Sequence, residues 1–488
     1  MMNSRAHRAV LELTDPEPVE ADVDASAKST KKKARRKAKP AAETEMGVPG
    51  TRVPRGYALA TRGFYDPRKR GTEVPTSDAE ILTGAVVAQP TDMNGIALGR
   101  DMLTRSLVAH DPITAYEQKE LESPAVAVIG EIGVGKSSLI KTAYVLRPLM
   151  FEKRRAVVID KKERGGEGEY AELTRTFGEE PIKMSTRGDG SVLNPMDPMI
   201  TNPAEIEDRM SGARAIRAIA EIAGERTLDE WEDGALRAAY VKTLDLYDGK
   251  KRPPVLTDLI KHLGSADLLS GSASKLPAAK ERFVMAGASV AFMLERLLQA
   301  YPGVFDGQTS KSVNLASKLT TFDVSQLTST GPAIDAVIAL ANTWLVGQLR
   351  SGENWRTNFV VEEGWHVLRG ANAPLIEENT KLARAFGLSM VTAIHHPSDI
   401  PEGTPGREIL RQAKTVHLYR QSRENDIALI AKMFDLEQNS AELLRTLPPG
   451  EHLLKIGQNP EMRVEHIRSD LETMLTNTDD AMLVNKER

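Results

Sequence analysis

Short runs of apolar, mostly β-branched residues recur along the chain, separated by polar or glycine-containing turns. AVAVIG (125–130), RRAVVIDKKE (154–163) and PIKMS (181–185) come first; LTTFDVS (319–325), NFVVEEGW (358–365), LSMVTAIHH (388–396), KTVHLYRQ (414–421) and HLLKIG (452–457) follow. Runs that are continuous, not alternating, suit strands covered on both faces, the condition of a parallel sheet between helices. SSLIKTAYVL (137–146) reads as a helix after the first run, so the opening rhythm is βαβ. Between about 200 and 300 the period changes to 3.6 residues, as in IEDRMSGARAIRAIAEIAG and WEDGALRAAYVKTLDLY. PPVLTDLIKHL (253–263) adds a further helix with Thr257 as its candidate cap. The pattern predicts an α/β fold with a mostly parallel sheet, interrupted by a helical insertion.

Ahead of the first core strand the pattern weakens. Residues 76–122 hold short strand-like pieces with turns, including MNGIALGRDMLTRSLVAHDP (93–112). Residues 1–75 have little periodic apolar character: an acidic stretch, LELTDPEPVEADVD, precedes a basic one, KSTKKKARRKAKP (28–40). Such a segment cannot bury enough surface to offset its chain entropy, and it is expected to be disordered. The expected division is a tail (1–75), a β-rich leading segment (76–122), the first part of the core (123–200), the helical insertion (201–300), the second part of the core (301–470) and a C-terminal tail (471–488).

Composition narrows the classes. The 488 residues carry a formal net charge of -4, with 27% charged and 41% hydrophobic residues, the profile of an ordinary globular protein with no global basic field. Nucleic-acid contact would need a local patch. The basic run at 28–40 is either a solvated tail or a contact for nucleic acid or anionic lipid. With no cysteine there are no disulfides, thiolate metal sites or cysteine nucleophile. No apolar run approaches the roughly 20 residues of a membrane span, and the N-terminus lacks a signal-peptide core. Work at a membrane would then depend on a partner that holds the chain there.

One stretch points to chemistry. GEIGVGKSSLIK (130–141) fits the phosphate-loop pattern G-x-x-x-x-G-K-[ST], with Gly130, Gly135, Lys136 and Ser137 in the fixed places and Gly133 and Ser138 between and behind them. Glycines let backbone N–H groups approach phosphates, and the following helix adds the positive end of its dipole. Chance produces such a match in roughly 2% of chains this long, and the strand before it and helix after it lower that figure. Lys136 is the candidate for the β/γ-phosphates and Ser137 for Mg²⁺.

Hydrolysis also needs a metal-positioning acid and a group that orients water, expected at the end of a strand beside the loop's own. FVVEEGWH (359–366) is the best candidate: Glu362 for Mg²⁺ through water, Glu363 to polarise the attacking water; an exposed acidic turn is the alternative. His395, with His396 at the end of the strand LSMVTAIHH, is a candidate sensor of the γ-phosphate from the neighbouring strand; a histidine metal site lacks an obvious third ligand. Arg384 is either a surface helix arginine or an arginine finger reaching a neighbouring subunit's nucleotide, with Arg411 and Arg420 as lesser candidates.

These features, taken in order, resemble a known family. GIALGRD and HDP precede GEIGVGKSS; VVIDKKERGGEGEYAEL, LNPMD, PVLTDLIKHL, VFDGQTS, TFDVSQL, VVEEGWHVL and RAFGLSMVTAIHHPSD follow, over about 93–460. Together they look like the conjugation ATPases of type IV secretion systems (the TraC-like, or VirB-four, class), within the HerA/FtsK group of P-loop pumps. The resemblance implies a RecA-like core, ATP with Mg²⁺, a ring of six subunits, conjugation or secretion channel partners, DNA as a further candidate partner, and a cytoplasmic site at the inner face of the membrane. Two positions depart from the family's pattern: Glu362 where aspartate is usual, and His395 where glutamine is typical. Longer members of the family also have a large N-terminal domain that docks on the secretion channel; here only the tail (1–75) and a short ribbon (76–122) are expected ahead of the motor, which suggests a motor-only form or an unusual system. Three functions stay open on this reading: a motor energising conjugative transfer, a HerA/FtsK-like DNA translocase or helicase, and a nucleotide-binding scaffold with little turnover.

Overall fold

The computed structural model describes residues 95–198, 206–328, 331–350, 355–364, 373–374, 376–377 and 387–476, all within one unit of the chain, 77–488. The acidic and basic tail, the first part of the leading segment and Arg384 lie outside the described residues.

The strands are β1 (Ala97–Asp101), β2 (Leu107–Ala109), β3 (Val126–Ile129), β4 (Arg154–Asp160), β5 (Glu163–Arg164), β6 (Glu167–Gly168), β7 (Ile182–Lys183), β8 (Leu319–Asp323), β9 (Arg356–Val361), β10 (Leu388–Ile394), β11 (Thr415–Leu418), β12 (Glu451–Ile456) and β13 (Met462–His466). Eleven form one sheet in the order β2-β1-β13-β12-β11-β3-β10-β9-β4-β8-β7, and β5 and β6 pair as a separate hairpin. From β11 to β7 every pairing is parallel, whereas β12, β13, β1 and β2 extend the sheet antiparallel. The core is therefore the α/β fold with a mostly parallel sheet that the apolar runs predict.

Side chains alternate across the strands and divide the core. Val126, Val128, Val158, Val360 and Val391 face one side, where Leu139, Ile140 and Ala143 of the helix after the phosphate loop cover them. Ala127, Ile129, Val157, Phe359 and Val361 face the other, against Ile216, Leu236, Leu294 and Val337 of four helices. Three of those helices, Ile206–Gly224, Glu230–Tyr247 and Pro277–Ala300, make the helical insertion; the fourth is Pro332–Arg350. Pro277–Ala300 corrects the sequence-level expectation about membrane spans, because by length and composition it is long and apolar enough to cross one. It packs against the other two insertion helices, burying Phe283, Val290 and Leu294.

Other expectations shift locally. Thr257 is not a cap: the short helix begins at Leu256, and Asp258 reaches back to accept from the Val255 N–H at 3.2 Å. SSLIKTAYVL is α-helical only over Lys136–Leu139 and π-helical over Ile140–Leu146. The Thr142 hydroxyl donates to the Ser138 and Leu139 carbonyls at 2.8 and 3.1 Å, competing with the backbone where the turn widens. Asp470–Thr476, the start of the expected C-terminal tail, is a helix in which Glu472 binds Arg147 at 2.6 Å.

Candidate nucleotide site

Strand β3 runs straight into the phosphate loop. Gly133 and Gly135 have φ of 78° and 104°, the left-handed region that side chains disfavour, so the loop's sharp turns rest on these two residues. Gly130 is needed for a different reason: a Cβ there would lie 2.4 Å from the Tyr419 Cβ. Neighbouring segments clamp the loop, since Gly130 N–H donates to Ile394 O at 3.2 Å, Glu131 N–H to Arg420 O at 3.2 Å, and Gly450 N–H to Val134 O at 3.0 Å.

Within this frame Lys136 folds back over the loop, donating to the carbonyls of Gly130 at 2.7 Å and Glu131 at 2.5 Å, with His395 Nδ1 3.1 Å away. Burial pushes its pKa down to about 7, and the charge of Lys162 adds to that. His395 follows β10, its Nδ1 also 3.2 Å from Gly130 O and its own carbonyl accepting from Gln421 Nε2 at 3.1 Å. Burial and the Lys136 charge hold its pKa below the usual histidine value.

The acidic pair sits at the end of β9, but β9 is not the neighbour of β3. Strand β10 lies between them, which corrects the expectation of an adjacent strand. The glutamate side chain and the advance of the first helix close that gap: Ser137 Oγ donates to Glu362 Oε2 at 2.7 Å. Gly364 fixes the pair's position, its N–H donating to Ala393 O at 2.9 Å; a Cβ there would lie 2.1 Å from Thr392 Cγ2. Glu363 beside it is half-buried.

Two residues that the sequence reading did not single out complete the cluster. Lys162 Nζ donates to Ser137 Oγ at 2.7 Å and to Glu362 Oε2 at 3.1 Å, and the Tyr170 hydroxyl donates to Glu362 Oε1. Burial alone would raise the Glu362 pKa, but the charges of Lys162 and Lys141 and the bonds from Tyr170 and Ser137 outweigh it and hold it at about 2. Burial opposes the Lys162 charge too, yet Glu362 and Glu169 push its pKa up. Buried carboxyls fix the segment that delivers Tyr170: Asp160 accepts from the Tyr170 N–H at 2.7 Å, and Asp323 from the Gly168 N–H at 3.0 Å. The signal available in the sequence was RRAVVIDKKE, a buried strand ending in an acid and two lysines.

The carboxyl ends of β3, β10, β9 and β4, consecutive in the sheet, thus bring together Lys136 and Ser137, His395, Glu362 and Glu363, and Lys162. Ser138 is the third residue of the helix that starts at Lys136, its carbonyl taken by Thr142. His396 turns away to Asp426 at 3.0 Å, and among the described residues no group of three or more His, Cys, Asp or Glu is placed to hold a metal. Arg420 lies 3.6 Å from Glu131 on the loop, whereas Arg411 pairs with Glu408 at the opposite edge of the sheet, near the start of β11. Mg²⁺ fits the chemistry of the donor set: Ser137 Oγ and the ionised Glu362 carboxylate are hard oxygens brought together at 2.7 Å.

No protein-family model and no curated protein matches the sequence; the likeness to known proteins lies in three-dimensional structure. VirB4 of Thermoanaerobacter pseudethanolicus superposes with a TM-score of 0.63 at 20% identity, covering 80% of this chain and 100% of its own. The bacterial conjugative coupling protein TrwBdeltaN70 superposes at 0.52, with 16% identity over 78% of this chain and 91% of its own. TrwB in complex with ADP and Mg²⁺ superposes at 0.51 with 14% identity, over 78% of this chain and 96% of its own. The fold is therefore that of the conjugation P-loop ATPases, the fold implied by the motif resemblance.

Proposed function

We propose that this chain is an ATP-hydrolysing motor that energises conjugative transfer of DNA or protein through a type IV secretion system. The observation that carries the proposal is the convergence of Lys136, Ser137, Glu362 and His395 at one edge of the sheet, in a fold shared with VirB4. Lys136 would leave the loop carbonyls for the β/γ-phosphates, and the N–H groups of the loop through Gly135 would line them. Ser137 and Glu362 would hold Mg²⁺, which when bound supplies charge neutralisation between the phosphates. Glu363 would polarise the attacking water, and the neutral His395 ring would read the γ-phosphate from β10. Hexameric assembly, an arginine finger at Arg384 and attachment to the cytoplasmic face of the membrane through channel proteins complete this reading.

A HerA/FtsK-like DNA translocase is the second reading, supported by the likeness to a conjugative coupling protein. The two part on DNA dependence. Phosphate release would be measured for the wild type and Lys136→Ala, with and without single- and double-stranded DNA. Lys136-dependent hydrolysis indifferent to DNA supports a secretion motor that waits for its membrane partner, and strong DNA stimulation supports the translocase or a conjugation motor that handles DNA itself. Tight ATP binding with no release, unchanged by Glu363→Gln, would overturn both in favour of an assembly scaffold.

A further inference from the structure

Lys162 is a charged group in contact with the offered metal oxygens that the proposed chemistry does not use. Its ammonium touches the two oxygens offered for Mg²⁺, 2.7 Å from Ser137 Oγ and 3.1 Å from Glu362 Oε2. Those two oxygens are themselves 2.7 Å apart, so the three atoms close a triangle with the cation bridging both. We propose that Lys162 is a positioning residue that acts as a built-in counter-cation: it clamps Ser137 to Glu362, and a divalent metal must displace it.

The geometry separates this role from an ordinary buried ion pair. The main chain at Lys162 is pinned, its carbonyl accepting from the Glu169 N–H at 3.0 Å, while its side chain remains 34% exposed. Lys141, the other cation beside Glu362, is 1% exposed on its side chain and cannot withdraw to solvent. Lys162 can, because a four-carbon stem on a fixed backbone lets the ammonium swing out while the strand end stays still. Glu169 and Glu363 flank it with negative charge, so the displaced ammonium keeps carboxylates nearby. Ser137 and Glu362 are thereby held at ligand spacing before metal arrives, and the metal's net affinity is lowered by the two contacts that it must break.

This inference rests on the nucleotide-site reading above, and the test separates the two. Mn²⁺ binding to the full chain in the presence of ADP would be followed by electron paramagnetic resonance, with nucleotide binding read independently by fluorescent ADP in EDTA. Lys162→Met should bind Mn²⁺ about tenfold more tightly, since one charged hydrogen bond alone is worth about that factor. Lys162→Arg, which keeps the charge, should stay near wild type. Unchanged or weaker Mn²⁺ binding in Lys162→Met, with ADP binding intact, would overturn the counter-cation role. Should Lys162→Met not fold, Lys162→Gln carries the same test, and failure of both to fold would make the lysine structural and overturn the inference. Absence of ADP binding in the wild type would instead sink the nucleotide site itself.

Discussion

Lys136 shows how one side chain carries a measurable signature of the site. With its pKa near 7 in the nucleotide-free protein and 10.5 as the ordinary value, the unfolded chain holds more protons between these limits, and stability rises with pH through that window. Phosphates favour the ammonium, so the nucleotide complex keeps a proton that the free protein loses above about pH 7. Nucleotide binding should therefore take up close to one proton at pH 8.5, and affinity should fall up to about tenfold per pH unit above 7. Calorimetry in buffers of different ionisation enthalpy measures this directly; the absence of uptake would refute it. Glu363→Gln should keep ATP binding while phosphate release falls at least about a hundredfold, the scale of losing a positioned base. A variant releasing phosphate at the wild-type rate would remove Glu363 from the mechanism.

Between strands the decisive features are small. Gly364 lets the end of β9 close on β10, its N–H on Ala393 O, and this holds Glu362 where it meets Ser137. Gly364→Ala would push a methyl against Thr392 Cγ2, 2.1 Å away, and something must move. We expect a loss of about 1–3 kcal/mol in thermal denaturation and a larger proportional loss in turnover than in ADP affinity, because Lys136 stays on β3's loop while Glu362 and Glu363 shift. Equal losses in both would show that the substitution merely unfolds the sheet. The hairpin of β5 and β6 plays a matching part, turning on Gly165 and Gly166 and delivering Tyr170 to Glu362.

On the scale of the whole molecule, Arg147 ties distant parts of the chain to the helix that follows the phosphate loop. It donates to Ala97 O in β1, to Ile467 O at 2.6 Å and to Glu472 at 2.6 Å. Arg147→Ala should lower stability by about 1–2 kcal/mol, a figure reduced for partial exposure of the pair, with nucleotide affinity kept near wild type. A thermal midpoint unchanged from wild type would argue against that tie. If the ring is real and Arg384 acts on a neighbour, mixing Arg384→Ala with Lys136→Ala subunits should recover part of the ATPase activity. Rings shown to mix without any recovery would dismiss the finger.

The sequence by itself determined most of the strands, because buried strands are continuously apolar: β3, β4, β8, β10 and β11 fall within runs legible in it, and β9 and β12 overlap such runs but begin one or two residues earlier. It determined the phosphate loop as well, since Gly133 and Gly135 meet a backbone demand local to the loop. Strand β13 escaped because MRVEH alternates polar and apolar residues over only five positions. Only the tertiary structure decided that β10 separates β3 from β9, that Gly130 answers to Tyr419 and Gly364 to Thr392, and that Lys162 and Tyr170 converge on Glu362. Strand order and side-chain convergence depend on pairings between residues tens to hundreds of positions apart. No local periodicity records such pairings, whereas a turn or a buried strand is written within a few adjacent residues.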